Sequence, residues 1–384
     1  MFQRRLTLPL NPTESFFLWG PRQTGKSTLL RKTYPDSLWF DLLDSDLFVS
    51  LSKRPALFRE IVLGFEKTGP VVIDEIQKIP ALLDEIHRLI ESDGKVFAMC
   101  GSSARKVRKG HANLLGGRAR RFELSGLVSA ELGTEFELTR ILNTGYLPRH
   151  ISNKEPEQAI RSYVNDYLKE EIAAEGISRN LGVFSDFLRA AAFSDGEQVN
   201  FSNIARECGV SAPTVRGYFD VLCDTLWGNF CQAFQKRPSR RITVSPKFYF
   251  ADVAVVNYLC KRGKIQPGSE LYGKAFENWL YHELLAAYQY RNRDPEITFW
   301  RTTTQTEVDF ILGDGEIAVE AKSTEEVRSD HLKPLREFAK DHPQVKRRIV
   351  VSRDKFPRKT EDNIEILPYA HFVNKLWNGA EIIP

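Results

Sequence analysis

One short segment near the amino end constrains this chain more than any other. Residues 20–27 read Gly-Pro-Arg-Gln-Thr-Gly-Lys-Ser, which is the phosphate-binding loop pattern G-x-x-x-x-G-K-[ST] without a mismatch. An apolar run, 16–19, precedes the loop, and residues 27–32 can open a helix after it. The amino end of a helix offers backbone N–H groups and a partial positive charge to an anion. The segment therefore predicts a strand, a phosphate-binding loop and a helix, in that order.

The residue types in this loop fit a nucleoside triphosphate. Glycine allows the backbone to fold into a cup of N–H donors around the α- and β-phosphates. Lys26 would reach the β- and γ-phosphates as a point charge, and the Ser27 hydroxyl would hold Mg²⁺. We therefore expect ATP and Mg²⁺ as cofactors. The expected nucleotide-binding residues are Gly20, Pro21, Arg22, Gln23, Thr24, Gly25, Lys26, Ser27, Thr28 and Ser102.

Two acids end the apolar run 71–73. Asp74 would help to hold Mg²⁺ through water, and Glu75 would polarise the water that attacks the γ-phosphate. The alternative is a buried strand that ends in solvated acids. A further apolar run, 95–100, precedes Ser102, which is either a sensor of the γ-phosphate or part of a serine-rich turn. Alternating strands and helices predict a parallel sheet, whose ligands bind at the carboxyl ends of the strands.

A strongly basic segment follows, from residue 105 to residue 121. Its cations are Arg105, Lys106, Arg108, Lys109, Arg118, Arg120 and Arg121. Arg118 follows two glycines and is the candidate arginine finger, a residue that acts on the γ-phosphate of a neighbouring molecule and is worth ~10³ to 10⁵ in rate. The alternative is a solvated or DNA-facing basic loop.

Several of these segments resemble the AAA-type ATPases of archaea and bacteria. They are residues 20–27, 71–75 and 101–103, and residues 115–118 followed by 122–127. More narrowly, the chain resembles the branch whose ATPase is fused to a carboxyl-terminal domain of unknown function, which residues 247–252 and 306–310 also match. The resemblance covers nearly the whole chain. It implies ATP binding and a homo-oligomer, with a ring as one form. The chain departs from the branch near Gly126, where a bulkier residue is frequent.

The middle of the chain predicts helices at 159–175 and 183–193, followed by a helix–turn–helix. The helix–turn–helix comprises residues 199–210 and 212–223, with Ser211 as the cap of the second helix. Its candidate recognition residues are Thr214, Arg216 and Tyr218. Strands near 226–234 and 241–244 would flank a basic wing, Lys236, Arg237, Arg240 and Arg241, placed against DNA phosphates. The alternative is a lid or a protein-contact module.

The last third predicts the order α-β-β-β-α-β. The expected elements are an amphipathic helix at 274–290, strands at 297–301, 307–312 and 316–322, a helix at 332–340 and a strand at 347–351. Asp309 and the pair Glu320 and Lys322 form the pattern of metal-dependent nucleases of the restriction-endonuclease type. Two carboxylates would hold Mg²⁺ and Lys322 would orient the attacking water, with Glu277 as a further acid. The alternative is an inactive nuclease fold in which Glu320 and Lys322 are a structural ion pair.

Composition narrows the class of protein. No window approaches ~18 apolar residues, so we expect neither a membrane span nor a membrane partner. No apolar stretch that could serve as a signal peptide follows Met1. The five cysteines form no C-x-x-C pair, which favours buried reduced thiols in a cytoplasmic protein. A net charge of +4 permits a nucleic-acid partner without requiring one.

These patterns predict an α/β chain of three domains. They are a parallel-sheet P-loop ATPase core at 1–135, a helical linker or lid with a winged helix at 136–262, and an α/β restriction-endonuclease-like domain at 263–384. The expected function is Mg²⁺-dependent ATP binding and hydrolysis that acts on DNA through a nuclease-like module. The alternative is a protein-remodelling or signalling ATPase whose carboxyl-terminal modules only mediate assembly. The acids at 74 and 75 suit water activation better than a small-molecule kinase.

Overall fold

The computed structural model describes residues 2–66, 69–103, 115–167, 181–235, 245–379 and 382–384. The chain divides into two compact units. The first comprises residues 1–126 with 224–226, and the second comprises residues 127–223 with 227–384. The domain boundary predicted after residue 262 therefore falls inside the second unit. No helix in the described ranges is long and apolar enough to cross a membrane.

The first unit is built on one parallel sheet. Its strands are β1 (Ser15–Trp19), β2 (Trp39–Asp41), β3 (Val71–Asp74), β4 (Phe97–Gly101) and β5 (Ala119–Glu123), in the spatial order β2-β3-β4-β1-β5. Its helices are α1 (Lys26–Thr33), α2 (Ser45–Lys53), α3 (Ala56–Leu63) and α4 (Leu82–Asp93). Every residue of β1, β3 and β4 is buried, as expected of central strands in a parallel sheet. The predicted parallel sheet is confirmed.

The second unit begins with helices and ends with a mixed sheet. Its helices are α5 (Ser129–Leu132), α6 (Leu138–Thr144), α7 (Pro148–Ser152), α8 (Pro156–Tyr167), α9 (Leu181–Phe193), α10 (Phe201–Cys208), α11 (Ala212–Asp224, to which the first unit contributes the last residue), α12 (Val253–Leu259), α13 (Glu270–Tyr290), α14 (Lys333–Asp341) and α15 (Tyr369–Asn378). Its strands are β6 (Gly228–Ala233), β7 (Lys247–Phe250), β8 (Ile297–Arg301), β9 (Glu307–Leu312), β10 (Ile317–Lys322), β11 (Arg347–Ser352), β12 (Arg358–Lys359) and β13 (Ile364–Pro368).

These eight strands form one continuous sheet in the order β12-β13-β11-β10-β9-β8-β6-β7. The predicted α-β-β-β-α-β order is present from α13 to β11. Strand β6 pairs in parallel with β8, with Gln232 opposite Thr298, so the hairpin of the middle segment extends the carboxyl-terminal sheet. Helix α13 was expected to be amphipathic, but 13 of its 21 residues are buried. It is a central helix because it packs against several elements, including α6, α15, β7 and β10.

The predicted helix–turn–helix corresponds to α10 and α11. Gly209 turns the chain in the left-handed region, φ 65°, and the Ser211 hydroxyl accepts the Thr214 N–H at 3.2 Å. Arg216 stays exposed, with its guanidinium 4.1 Å from the centre of the Phe201 ring. The predicted wing residues Lys236, Arg237, Arg240 and Arg241, and the strand expected at 241–244, lie outside the described residues.

The prediction of an exposed Tyr218 is wrong. Its side chain is only 5% exposed and lies edge-on to Phe184, with ring centres 5.0 Å apart. Helical spacing explains the burial, because positions 215, 218 and 222 share one stripe of α11 and all three are in the core. The recognition surface expected on α11 therefore retains Arg216 and the half-buried Thr214.

A buried polar centre joins the helical and sheet parts of the second unit. The Asn278 amide donates to both oxygens of Asp195, at 3.1 and 3.0 Å, and accepts the Tyr146 hydroxyl at 2.9 Å. Asp195 also accepts the Phe250 N–H at 2.8 Å. Nearby, the Asp252 carboxylate caps α12 and accepts the Tyr146 N–H at 3.0 Å. Residues of the 247–252 segment thus have a structural role in this unit.

Buried carboxyl groups make the stability of the second unit depend on pH. Glu283 accepts the Ser129 N–H at 2.7 Å and the Trp377 indole N–H at 2.6 Å. Burial raises the pKa of Glu283 to about 7, and it raises the pKa of Asp195 to about 7 as well. Between pH ~4 and 7 the unfolded chain releases each proton while the folded chain keeps it, so the free energy of unfolding falls as the pH rises.

We predict that Glu283→Gln flattens this pH dependence. Wild-type protein should lose on the order of 3 to 4 kcal/mol per buried carboxyl between pH 4 and 8, and the variant should lose that much less. Urea unfolding at a series of pH values measures it. Glu361→Gln, at an exposed position, is the matched control. Equal slopes for wild type and Glu283→Gln would contradict the account.

Candidate functional site

The phosphate-binding loop lies between β1 and α1, as predicted. Gln23 and Gly25 have left-handed backbones, with φ 65° and 93°. A Cβ built on Gly20 would lie 2.4 Å from the carbonyl oxygen of Leu124, so only glycine fits where the loop passes the end of β5. Gly25 opens α1 and turns the loop towards the helix. Glycine is therefore favoured at the two positions for different reasons: a close backbone approach at Gly20 and a left-handed backbone at Gly25.

Lys26 is folded back into the loop. Its ammonium group is buried, with 5% of the residue exposed, and donates to the carbonyl oxygens of Gly20 at 2.8 Å and Pro21 at 3.0 Å. Burial lowers the pKa of Lys26, and the negative charge of Glu75 opposes that shift most. The loop therefore holds a cation among its own carbonyl groups, where a phosphate would compete for it. Ser27 is half-buried beside it and Thr28 is exposed.

No sequence pattern indicates Arg4, yet its side chain braces the loop. One guanidinium nitrogen donates to the Thr24 carbonyl oxygen at 2.5 Å. The other terminal nitrogen donates to the carbonyl oxygens of Ser125 at 2.7 Å and Gly126 at 3.2 Å. Arg4 thus joins the loop to the segment after β5. The contact spans more than 100 residues, which is why local patterns do not indicate it.

The other predicted residues of the nucleotide site follow neighbouring strands. Strand β4 lies between β1 and β3, so the phosphate-binding loop, Ser102 and Glu75 all come after the carboxyl ends of adjacent strands, and Asp74 is the last residue of β3. The Asp74 side chain is buried and accepts the Cys100 thiol at 2.7 Å. Burial and the neighbouring Asp74 raise the pKa of Cys100 well above its usual value, so this thiol remains a protonated donor.

Gln77 links two of these residues, and no sequence pattern indicates it. Its amide nitrogen donates to the Glu75 carboxylate and, at 3.2 Å, to the Ser102 hydroxyl. Glu75 itself has a left-handed backbone, φ 58°, which is uncommon outside glycine. A Cβ on Gly101 would lie 2.3 Å from the Gln77 amide oxygen, so the glycine before Ser102 leaves room for this side chain.

Arg118 lies away from the phosphate-binding loop of its own chain. The next residue, Ala119, pairs with Ser15 at the start of β1, whereas the loop follows Trp19 at the other end of that strand, roughly 13 Å along it. The Arg118 guanidinium is exposed and forms an ion pair with Glu91. Arg120 and Arg121 are also in ion pairs. Arg105, Lys106, Arg108 and Lys109 lie outside the described residues.

The predicted nuclease-like residues converge on β9 and β10. Asp309 and Glu320 are buried, with 7% and 2% exposed. The Ala321 N–H donates to Asp309 at 2.8 Å, which brings the two strands' side chains together. The Lys322 ammonium lies 2.6 Å from one Glu320 oxygen. The other Glu320 oxygen, Oε2, is buried without a hydrogen-bond partner among the described residues.

Charge in this site is tightly coupled. Burial raises the pKa of Asp309 well above its usual value, and the carboxylates of Glu320 and Glu277 raise it further. Burial also raises the pKa of Glu320. Burial alone would lower the pKa of Lys322, but the charges of Asp309 and Glu320 outweigh it and raise that pKa. The site therefore holds carboxyl groups that disfavour one another's ionisation, and a cation in place of their protons would stabilise the ionised forms.

Glu277 is held by two groups that no sequence pattern indicates. It accepts the Tyr249 hydroxyl at 2.6 Å and pairs with the buried Lys247 ammonium at 3.0 Å. Lys247 also pairs with Glu307 at 2.5 Å. Across the described ranges, no group of three or more His, Cys, Asp or Glu side chains is arranged to hold a metal ion.

Three family models match successive parts of the chain. Residues 13–133 match the AAA domain, residues 135–266 match a domain of unknown function (DUF8612), and residues 272–372 match another domain of unknown function (DUF4143). With its loop and its parallel sheet, the first unit is a P-loop nucleotide-binding domain. The match to the AAA domain agrees with the resemblance to AAA-type ATPases. No curated protein is significantly similar to the chain in sequence.

Solved structures give weaker likenesses. The ORC2 protein of Aeropyrum pernix in its ADP form is 14% identical, with a TM-score of 0.32, over 64% of this chain and 87% of that one. The ADPNP–ADP complexes of that protein are 14% identical to this chain, with a TM-score of 0.27, over 64% of this chain and 88% of that one. The third structure is a signal transduction ATPase with numerous domains and a tetratricopeptide repeat sensor, from Pyrococcus horikoshii. It is 14% identical, with a TM-score of 0.19, over 72% of this chain and 47% of that one.

We predict that Arg4→Met weakens Mg-ATP binding about tenfold, or ~1.4 kcal/mol, because the loop loses its brace to the segment after β5. Isothermal titration calorimetry measures the affinity, and a melting curve without nucleotide checks the fold. Lys32→Met, an exposed change on α1, should leave the affinity unchanged. Equal affinities for Arg4→Met and Lys32→Met would show that Arg4 does not position the loop.

Proposed function

We propose that this chain binds and hydrolyses ATP with Mg²⁺ and acts on DNA through its carboxyl-terminal residues. One observation carries the ATPase proposal: the loop at 20–27, Asp74, Glu75 and Ser102 lie at or directly after the carboxyl ends of adjacent parallel strands. Ligands of parallel sheets bind at that edge. The chemical groups of this set also suit Mg-ATP, since they comprise a cation, backbone amide donors, two acids and hydroxyl groups.

Each residue has a definite task in this proposal. The loop amides and Lys26 bind the phosphates, and the ammonium group exchanges its carbonyl partners for phosphate oxygens. The Ser27 hydroxyl and the Asp74 carboxylate are hard oxygen donors of the kind that Mg²⁺ prefers, and the ion would neutralise charge that develops on the phosphates. Glu75 orients the attacking water and accepts its proton.

Gln77 gives this arrangement a means of sensing the γ-phosphate. Its amide bonds both the Glu75 carboxylate and the Ser102 hydroxyl. A γ-phosphate would accept the Ser102 hydroxyl proton while the Ser102 oxygen still accepts from Gln77, so Gln77 would connect the bound γ-phosphate to Glu75. The position of Glu75 would then respond to the presence of the γ-phosphate.

Arg118 belongs to this proposal as a residue that acts on a neighbouring copy. It lies at the opposite end of β1 from the loop of its own chain and is exposed. The finger would leave its ion pair with Glu91 to reach the γ-phosphate of the next molecule. The proposal therefore includes a homo-oligomer, for which a ring is the closed form.

The DNA-directed part rests on the buried carboxylates of β9 and β10. Glu320 Oε2 has no partner among the residues described, and it belongs to a cluster whose carboxyl pKa values are raised. A buried acceptor of this kind suits a divalent cation shared with Asp309. Mg²⁺ there would stabilise the charge of a phosphodiester during attack, and Lys322 would orient the water.

A specific observation also favours the alternative, an ATPase that remodels proteins or signals. Lys322 is already paired with Glu320 at 2.6 Å, and Glu277 is already held by Lys247 and Tyr249. These pairs satisfy much of the buried charge without a metal ion. In that case the carboxyl-terminal modules mediate assembly, and DNA has no effect on ATP turnover.

We predict that Glu75→Gln lowers the rate of ATP hydrolysis by a factor of ~10² to 10⁴ but leaves Mg-ATP affinity within about threefold, because it removes the proton acceptor and keeps the shape. Phosphate release under single-turnover conditions gives the rate, and calorimetry gives the affinity. Glu85→Gln, on α4, is the control. Hydrolysis at the wild-type rate would overturn the role of Glu75.

We predict that wild-type protein nicks plasmid DNA with Mg²⁺ and ATP, and that Asp309→Asn and Lys322→Met each abolish nicking. The first change removes a ligand charge and the second removes the cation that orients water. Agarose gels of the same tubes used for ATP turnover give both readouts. Asp314→Asn, in an exposed turn, should nick normally. Absence of nicking by wild type on every DNA form would support the assembly alternative.

A further inference from the structure

A cavity separate from the sites described above lies within the second unit, between α6, α8 and α12. Its volume is about 660 Å³, inside the range of ~300 to 1,000 Å³ found for small-molecule sites. Ile160 and Ala254 are buried apolar parts of its lining, and Tyr258 is half-buried beside them. The cavity therefore has room and an apolar wall for a compact ligand.

One buried side chain in the lining of this cavity has an unused acceptor. Asn257 is 7% exposed, and its amide nitrogen donates to the Leu142 carbonyl oxygen at 2.9 Å. That bond fixes which end of the amide carries the oxygen. The Asn257 Oδ1 atom is buried and has no hydrogen-bond partner among the residues that the structure describes. Buried acceptors nearly always have a partner, so a donor from a ligand or an ordered water belongs there.

The lining of the cavity is rich in positive charge. Four cations line it, Arg161, Lys261, Arg262 and Lys264, against the single acid Glu157. Within the described part of the chain, none of these four cations forms an ion pair. The carboxyl end of α12 favours positive charge and accounts for those that follow this helix. It does not account for Arg161, which belongs to α8, or for the orphaned acceptor of Asn257.

We infer that this cavity binds a nucleoside monophosphate. The phosphate would lie among the four cations. The base would pack against Tyr258 and the apolar wall, and one of its N–H groups would donate to Asn257 Oδ1. The inference is independent of the proposed ATPase, since none of these residues belongs to the phosphate-binding loop or to the β9–β10 site.

Calorimetric titration of the full chain carrying Lys26→Ala tests it, because that background weakens phosphate binding at the loop. The probes are AMP, GMP, CMP and UMP, with ribose 5-phosphate as the fragment that lacks a base. We expect at least one nucleotide to bind at least tenfold more tightly than ribose 5-phosphate. Equal affinities, or no binding of any nucleotide at millimolar concentration, would overturn the inference.

Two variants locate the binding. Lys261→Glu with Lys264→Glu changes exposed side chains and should weaken the nucleotide at least tenfold, whereas Lys340→Glu, exposed on α14, should not. Asn257→Leu should reduce nucleotide affinity to that of ribose 5-phosphate, with melting curves to check folding. If Asn257→Leu does not fold, the lysine pair still decides. Unchanged affinity in the double variant would place the ligand elsewhere and overturn the inference.

Discussion

The turn of the chain directly after β1 fixes the position of the phosphate-binding loop in the first unit. The Gly20 backbone passes so close to the Leu124 carbonyl oxygen that a single added carbon would lie 2.4 Å from it. That contact sets the position from which Lys26 reaches back to the loop carbonyls and Arg4 ties the loop to the segment after β5. Displacement of the turn would break all three restraints together. The candidate nucleotide site therefore depends on the segments after both β1 and β5, and the loop motif covers only the first of them.

In both units, side chains that we assign to the candidate sites form hydrogen bonds or ion pairs with other polar side chains. Gln77 holds Glu75 and Ser102 in the first unit, and Lys247 holds Glu277 and Glu307 in the second. Buried polar groups need such partners, because an unsatisfied one costs about 1 to 3 kcal/mol. Among the buried polar atoms without a described partner are Glu320 Oε2 and Asn257 Oδ1, which belong to the two proposed binding sites.

Local patterns predicted much of this molecule. The phosphate-binding loop, the acids at the end of β3 and the alternation of strands and helices depend on neighbours in sequence, so spacing alone indicates them. The order of elements from α13 to β11 was also predictable. Strands β12 and β13 and helix α15 follow that pattern and were not anticipated, although they complete the sheet and cover α13.

Long-range packing accounts for what the sequence could not predict. Tyr218 carries a polar group and was expected on the exposed face of α11, yet aromatic rings from α9 bury it. Arg4, Gln77 and Lys247 gain their roles from contacts with residues distant in sequence, such as Ser125, Ser102 and Glu277, and no spacing rule indicates such contacts. The prediction of an amphipathic α13 was wrong for the same reason, because a helix that is covered on most sides has no wide polar face exposed to solvent.

The account depends on the binding of a nucleoside triphosphate by the loop after β1. Titration of Mg-ATP into the wild-type chain, followed by calorimetry, tests that claim most directly, with a melting curve on the same samples. We expect saturable heat, a raised melting temperature that follows the law of mass action, and loss of both effects in Lys26→Ala. Wild-type protein that shows neither heat nor a shift in melting temperature at millimolar Mg-ATP would contradict the central claim.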